Sequence, residues 1–130
     1  MDTDTYRKRW EAGDTAGLAE LYAPDALLDM NLPQWRFQRR GREDVIRQVG
    51  GYFERGSVDV QGWRARSGDW GAVVEEESVW RVEPEALYYR QVHIFLTDGD
   101  LITEHIIYCP GEWDRATVER QKAEAPMFRP

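Results

Sequence analysis

The side chains best suited to moving protons are His93, in the run 86–97, and Glu104, in the run 101–108. A neutral imidazole donates from one ring nitrogen and accepts at the other, and its pKa lets it exchange a proton near neutrality. In a strand, residues two apart share a face, so Tyr89, Gln91 and Phe95 lie with His93. The same alternation divides the next run into Ile102, Glu104, Ile106 and Tyr108 on one face and Leu101, Thr103, His105 and Ile107 on the other. A carboxylate among Ile102, Ile106 and Tyr108 is partly desolvated, which raises its pKa toward that of a working acid or base. If His93 lies across from it, the two form an acid–base pair. The competing reading makes His93 a hydrogen-bonded core residue and pairs Glu104 with Arg90 or Arg42.

Further polar groups are less decided. Glu75-Glu76-Glu77 is unusual for a strand, because adjacent like charges repel and glutamate is a poor strand former. Glu75 and Glu77 share a face with Val79; Val74, Ser78 and Trp80 share the other. The reading adopted is that Glu75 and Glu77 turn inward and favour a cationic ligand group; the alternative is a solvated run. Tyr6 and Trp10, one helical turn apart, share a face. Trp35, Arg36 and Phe37 precede Gly41 and form either a lid or a solvated loop, with Arg36, Arg39, Arg40 and Arg42 making a local basic rim. Asp114 reads as a helix cap.

The elements that must position these residues follow from spacing. Tyr6, Trp10, Leu18, Leu21 and Tyr22 recur at three- and four-residue intervals, predicting two short helices broken at Gly13, with Asp14 capping the second. Ala23-Pro24-Asp25 stops the second helix and a strand is predicted from Ala26 to Leu32. Val45, Ile46, Val49 and Phe53 mark a third helix, ending near Gly56. Four β-rich runs follow, 58–66, 72–82, 86–97 and 101–108, separated by turn-like breaks that include Asp98-Gly99-Asp100. A last helix starts at Asp114. Helices first and an antiparallel meander second is an α+β pattern.

Composition narrows the function classes. The chain has 130 residues, enough for a single domain, with 42% hydrophobic and 32% charged residues. A net charge of −7 disfavours nucleic acid and anionic membranes. Cys109 is the lone cysteine, so no intrachain disulfide is expected and no zinc spacing exists. Neither a signal core nor a membrane-spanning run is present, which makes cytoplasmic the expected location. Six tryptophans in a chain this short imply an aromatic-lined pocket or interface.

Particular words at the junctions carry a resemblance. These are Trp10-Glu11-Ala12-Gly13-Asp14, then Leu18-Ala19-Glu20-Leu21-Tyr22-Ala23-Pro24-Asp25-Ala26, then Pro33, Gly41-Arg42-Glu43-Asp44-Val45-Ile46, and the hairpin from Val92 to Ile102. In them the chain resembles the nuclear transport factor 2-like superfamily, in its branch of SnoaL-like polyketide cyclases and ketosteroid isomerases. The resemblance implies one domain over 1–130, with 114–130 a helix and tail. Its fold is a cone-shaped antiparallel sheet wrapped around N-terminal helices, a cystatin-like α+β barrel with a pocket at its wide end, often in a homodimer.

On this resemblance His93 stands where ketosteroid isomerases hold a protonated acid facing the substrate's oxyanion. Tyr6 stands where they present a tyrosine hydroxyl, and Glu104 belongs to the pocket-facing set. The expected catalytic residues are therefore His93, Glu104, Tyr6 and Tyr108, with Trp10, Met30, Glu75, Glu77, Tyr89, Phe95 and Trp35 binding the ligand and neither cofactor nor metal required. Met30 replaces the carboxylate that moves the proton in the isomerases, so steroid isomerisation by their route is not supported. The function implied is a cofactor-independent isomerase, cyclase, dehydratase or hydrolase of a small organic, polyketide- or terpenoid-like molecule. A non-catalytic ligand-binding or sensing protein is the alternative, and a dimeric interaction module a further one.

Overall fold

A computed structural model describes residues 1–129. Helix α1 (Thr3–Ala12) starts at Asp2, whose carboxylate accepts from the Asp4 and Thr5 amides, and stops at Gly13, held at φ 65°, where a side chain would be strained. Asp14 caps α2 (Thr15–Ala19) by accepting from the Gly17 amide. Strand β1 (Tyr22–Leu32) buries Ala26, Leu28 and Met30 in strict alternation. It turns into β2 (Trp35–Arg40), which is exposed along most of its length. Helix α3 (Arg42–Arg55) buries Val45 and Val49, one turn apart.

The second half is a meander of β3 (Ser57–Gly68), β4 (Gly71–Val82), β5 (Glu85–Asp98) and β6 (Leu101–Tyr108). A two-residue strand β7 (Glu112–Trp113) pairs with the start of β5, and α4 (Arg115–Glu124) begins at Asp114, which caps it by accepting from the Thr117 amide. Strand order is β2-β1-β6-β5-β4-β3. The sheet is curved and unclosed, with α1 and α3 packed on its concave face. It departs from the antiparallel expectation in one place: β1 and β6 run parallel, because the helix α3 and the meander intervene between them. No helix among the described residues is long and apolar enough to cross a membrane.

Two irregularities decide which side chains face inward. Between β5 and β6, Thr97 pairs with Ile102 but Leu96 pairs with Glu104, so Thr103 is an extra residue in β6. Its hydroxyl donates to the Leu96 carbonyl at 3.1 Å. One inserted residue reverses the parity of everything after it. Ile102 is therefore buried, and so are His105 and Ile107, while Glu104 and Ile106 turn to the opposite face. Between β3 and β4 a similar shift at Gln61 leaves Trp63 opposite Glu76.

Candidate functional site

On β4 the inward parity is Ala72, Val74, Glu76, Ser78 and Trp80, all buried. Glu76 is fully buried, and five donors converge on it. Its Oε2 accepts from Trp10 Nε1 at 2.9 Å, Ser78 Oγ at 2.6 Å and the Tyr89 hydroxyl at 2.9 Å. Its Oε1 accepts from Gln91 Nε2 at 2.7 Å and His93 Nε2 at 2.8 Å. Register explains the convergence: Gln91 sits directly opposite Glu76 on β5, Tyr89 opposite Ser78 and His93 opposite Val74, while Trp10 reaches down from α1. Burial by itself pushes the Glu76 carboxyl up, but the hydrogen bond and charge of His93, with Ser78 and Gln91, outweigh it and hold the pKa at about 2. Glu76 is thus an anion with its lone pairs filled, able to orient His93 but not to take up a substrate proton.

From His93 a line of hydrogen bonds continues through the core. His93 Nδ1 meets His105 Nε2, His105 Nδ1 meets the Tyr22 hydroxyl, and Tyr22 meets the Tyr6 hydroxyl, each at 2.8 Å. The two imidazoles and Phe95 are stacked, with His105 and Phe95 ring centroids 4.3 Å apart. Burial, with the neighbouring His93, drives the His105 pKa well below its ordinary value. Burial likewise drives Tyr6 and Tyr22 well above theirs, so these three groups stay uncharged. A chain of this kind has two complete hydrogen-bond patterns. With His93 neutral, every hydroxyl points toward it: Tyr6 donates to Tyr22, Tyr22 to His105, His105 to His93. With His93 charged, every bond reverses, and the Tyr6 proton is freed for a further acceptor.

Beside this chain lies a cavity of about 20 Å³, room for about one water. Tyr6, Trp10, Met30, His93, His105 and Ile107 form its floor and sides, with Gln91 at the edge, and Gln48, Val49 and Tyr52 of α3 cover it. Among the described residues, the Gln48 amide and the Tyr52 hydroxyl make no hydrogen bond to the protein, and Gln91 uses only its nitrogen. The indole nitrogen of Trp63, whose ring stacks on Tyr6, is buried without a partner. No three His, Cys, Asp or Glu side chains among the described residues are grouped to hold a metal ion.

The structure brings together Tyr6, Trp10, Met30, Tyr89, His93 and Phe95 around this chain and cavity. It separates the others. Glu104 is displaced to the opposite face by the Thr103 bulge, and His105 takes the inward place. That bulge also sends Tyr108 outward, half exposed, onto an open groove of about 620 Å³ shared with Asn31, Val92 and Trp113. Glu75 and Glu77 face outward because Glu76 holds the inward parity; Glu75 pairs with Arg90 and Arg129 there. Trp35, 68% exposed, is the first residue of an edge strand and lines neither this cavity nor that groove. Glu76, His105, Tyr22, Gln48 and Tyr52 were not singled out in the sequence. The readable signal was Glu76 at the same parity as Val74, Ser78 and Trp80, a carboxylate on an otherwise interior face.

A curved mixed sheet enclosing a helix-covered cavity is the fold of nuclear transport factor 2-like proteins. Residues 3–105 match the SnoaL-like domain, and the chain belongs to that family. Among solved structures, the chain is similar to an LEH-like epoxide hydrolase of M. tuberculosis (TM-score 0.68, 15% identity, 82% of this chain and 78% of the other). It is also similar to a nuclear transport factor 2-like protein of Anabaena variabilis (0.73, 13%, 84% of each chain). A third is a Pseudomonas putida protein provisionally assigned as a polyketide cyclase (0.69, 14%, 92% and 93%). Comparison with curated proteins gives no match.

Proposed function

We propose that this chain is a cofactor-independent acid–base enzyme acting on a small organic molecule in the cavity under α3. The observation that carries the reading is the unbroken line Glu76–His93–His105–Tyr22–Tyr6, four links of 2.8 Å ending at a residue that lines the cavity. In the acid direction, Tyr6 gives its proton to a substrate oxygen that is gaining charge. Tyr22 replaces it, His105 Nδ1 replaces the Tyr22 proton, and His93 Nδ1 delivers its own to His105 Nε2. His93 ends neutral, and neither tyrosine nor His105 rests in a charged form, as their burial requires. The base direction is the reverse: a substrate proton enters at Tyr6 and His93 becomes an imidazolium beside the Glu76 anion. Glu76 is a positioning residue that fixes the Nε2 proton and stabilises that charge.

Relatives in fold that hydrolyse epoxides or are assigned to polyketide cyclisation support this in kind, since both reactions place charge on an oxygen. Met30 favours a second reading, binding without turnover, because the position that carries the base in isomerases is inert here. The test is a panel of small epoxides, ketones and enones assayed for mass or structural change. Turnover that falls about 100-fold or more in both Tyr6→Phe and His93→Gln, with binding kept, supports the relay. Unchanged turnover in the two variants overturns it.

A further inference from the structure

The polar atoms left over around the cavity say what it can hold. Among the described residues, the lining side chains whose polar ends have no protein partner are Gln48 and Tyr52, together with Gln91, whose carbonyl oxygen is unused. All three are uncharged. Burial foremost, then the neighbouring Cys109, Glu112 and Glu76, pushes the Tyr52 hydroxyl up to about 12, so it is a phenol donor at any working pH. No lysine or arginine lines the cavity. An anionic ligand would therefore find no lysine or arginine and would lie near the buried Glu76 carboxylate, which disfavours it. An ammonium ligand has no better prospect, because Glu76 already accepts five hydrogen bonds.

The wall that carries Gln48 and Tyr52 is also the part of the site best able to yield. Between them α3 contains Gly50-Gly51, both poorer helix formers than alanine. A Cβ at Gly50 would stand 2.7 Å from the Thr15 methyl, so a side chain there would have to push against α2. A cavity sized for one water must enlarge to admit a substrate, and the glycine pair gives α3 its softest turn at that place.

We infer that Gln48 and Tyr52 form the recognition pair of this site and select an uncharged, oxygen-bearing ligand, such as a ketone, alcohol or epoxide, over an acid or amine of equal size. The ligand oxygen accepts from the Tyr52 hydroxyl and the Gln48 amide, and any ligand hydroxyl donates to Gln91. This rests on the cavity being the substrate site, as in the proposed function, but not on the proton relay.

The experiment is a titration followed by tryptophan fluorescence, since Trp10 packs edge-on against Tyr52 with centroids 6.0 Å apart. The probes are cyclohexanone, cyclohexanol, cyclohexanecarboxylate and cyclohexylammonium at pH 7.5. Cyclohexanone and cyclohexanol are expected to bind about tenfold or more tighter than the two ions. Tyr52→Phe and Gln48→Leu should weaken the neutral pair by about three- to tenfold each, the range one neutral hydrogen bond spans. Gln48→Glu, at a partly exposed position, should shift preference toward the ammonium and keeps the test alive if Tyr52→Phe folds poorly. Tyr22→Phe, at a relay position that does not line the cavity, should retain the wild-type preference even where turnover is lost, which separates failure of recognition from failure of the relay. Equal binding of the carboxylate, an unaltered preference in all α3 variants, or no binding of any probe overturns the inference.

Discussion

Glu75 and Glu76 are adjacent in β4 and chemically alike, yet the two faces of the sheet treat them as different groups. Glu75 lies on the outer face among Arg90 and Arg129, with a side chain 29% exposed. Glu76 lies on the inner face, fully buried, with no arginine or lysine partner and five neutral or imidazole donors around it. An exposed carboxylate is stabilised by water and needs little from its partners. A buried one exists only if its donors are already in place, so it fixes the positions of Trp10, Ser78, Tyr89, Gln91 and His93 together. The inner glutamate organises a site; the outer one decorates a surface.

The largest expected effect breaks that comparison from the inside. Glu76→Ala leaves buried donors from α1, β4 and β5 unpaired and should cost about 3–5 kcal/mol in urea denaturation, the range for removing one partner of a buried charged network. A loss below about 1 kcal/mol would mean that water replaces the carboxylate and that the network is less dry than its geometry implies.

Acid and alkali probe the same contrast more gently. His105 is held neutral with a depressed pKa, so the unfolded chain binds the extra proton first, and stability should begin to fall as pH drops below about 6.5. Glu76, ordinarily near 4.5 and held at about 2, adds a second loss between those values, of roughly 3 kcal/mol in all. Tyr6 and Tyr22 are raised, so the unfolded state loses protons first and stability should fall again above about pH 10. A plateau from about 6.5 to 10 in the melting temperature is the expected outcome. A curve flat to pH 4 would show that the buried chain does not govern acid stability.

The architecture could be read from the sequence because it rests on local signals: periodicity in α1 and α3, the caps at Asp14 and Asp114, and the turns that divide the meander. The inward face of β5 was legible for the same reason, as Tyr89, Gln91, His93 and Phe95 lie in a stretch paired to β4 without a register break. β6 was not, since the Thr103 bulge lies outside anything alternation can see and exchanges Glu104 for His105. Glu76 was hidden differently. Burying a glutamate is so costly that an outward place is the ordinary expectation, and the donors that reverse it include Trp10, 66 residues away.

The smallest expected effect tests the outer half of the comparison. Glu75→Ala removes a half-exposed cluster whose arginines can turn to water, so its cost should be under about 1 kcal/mol and should shrink as salt rises. Arg90 and Arg129 come from β5 and from the chain beyond α4, which gives the cluster one means of exceeding that figure: it ties the C-terminal segment to the sheet. Were Glu75→Ala to approach the cost of Glu76→Ala, the outer glutamate would be organising a tertiary contact as the inner one does. Parity on β4 would then no longer separate a structural anion from a surface charge.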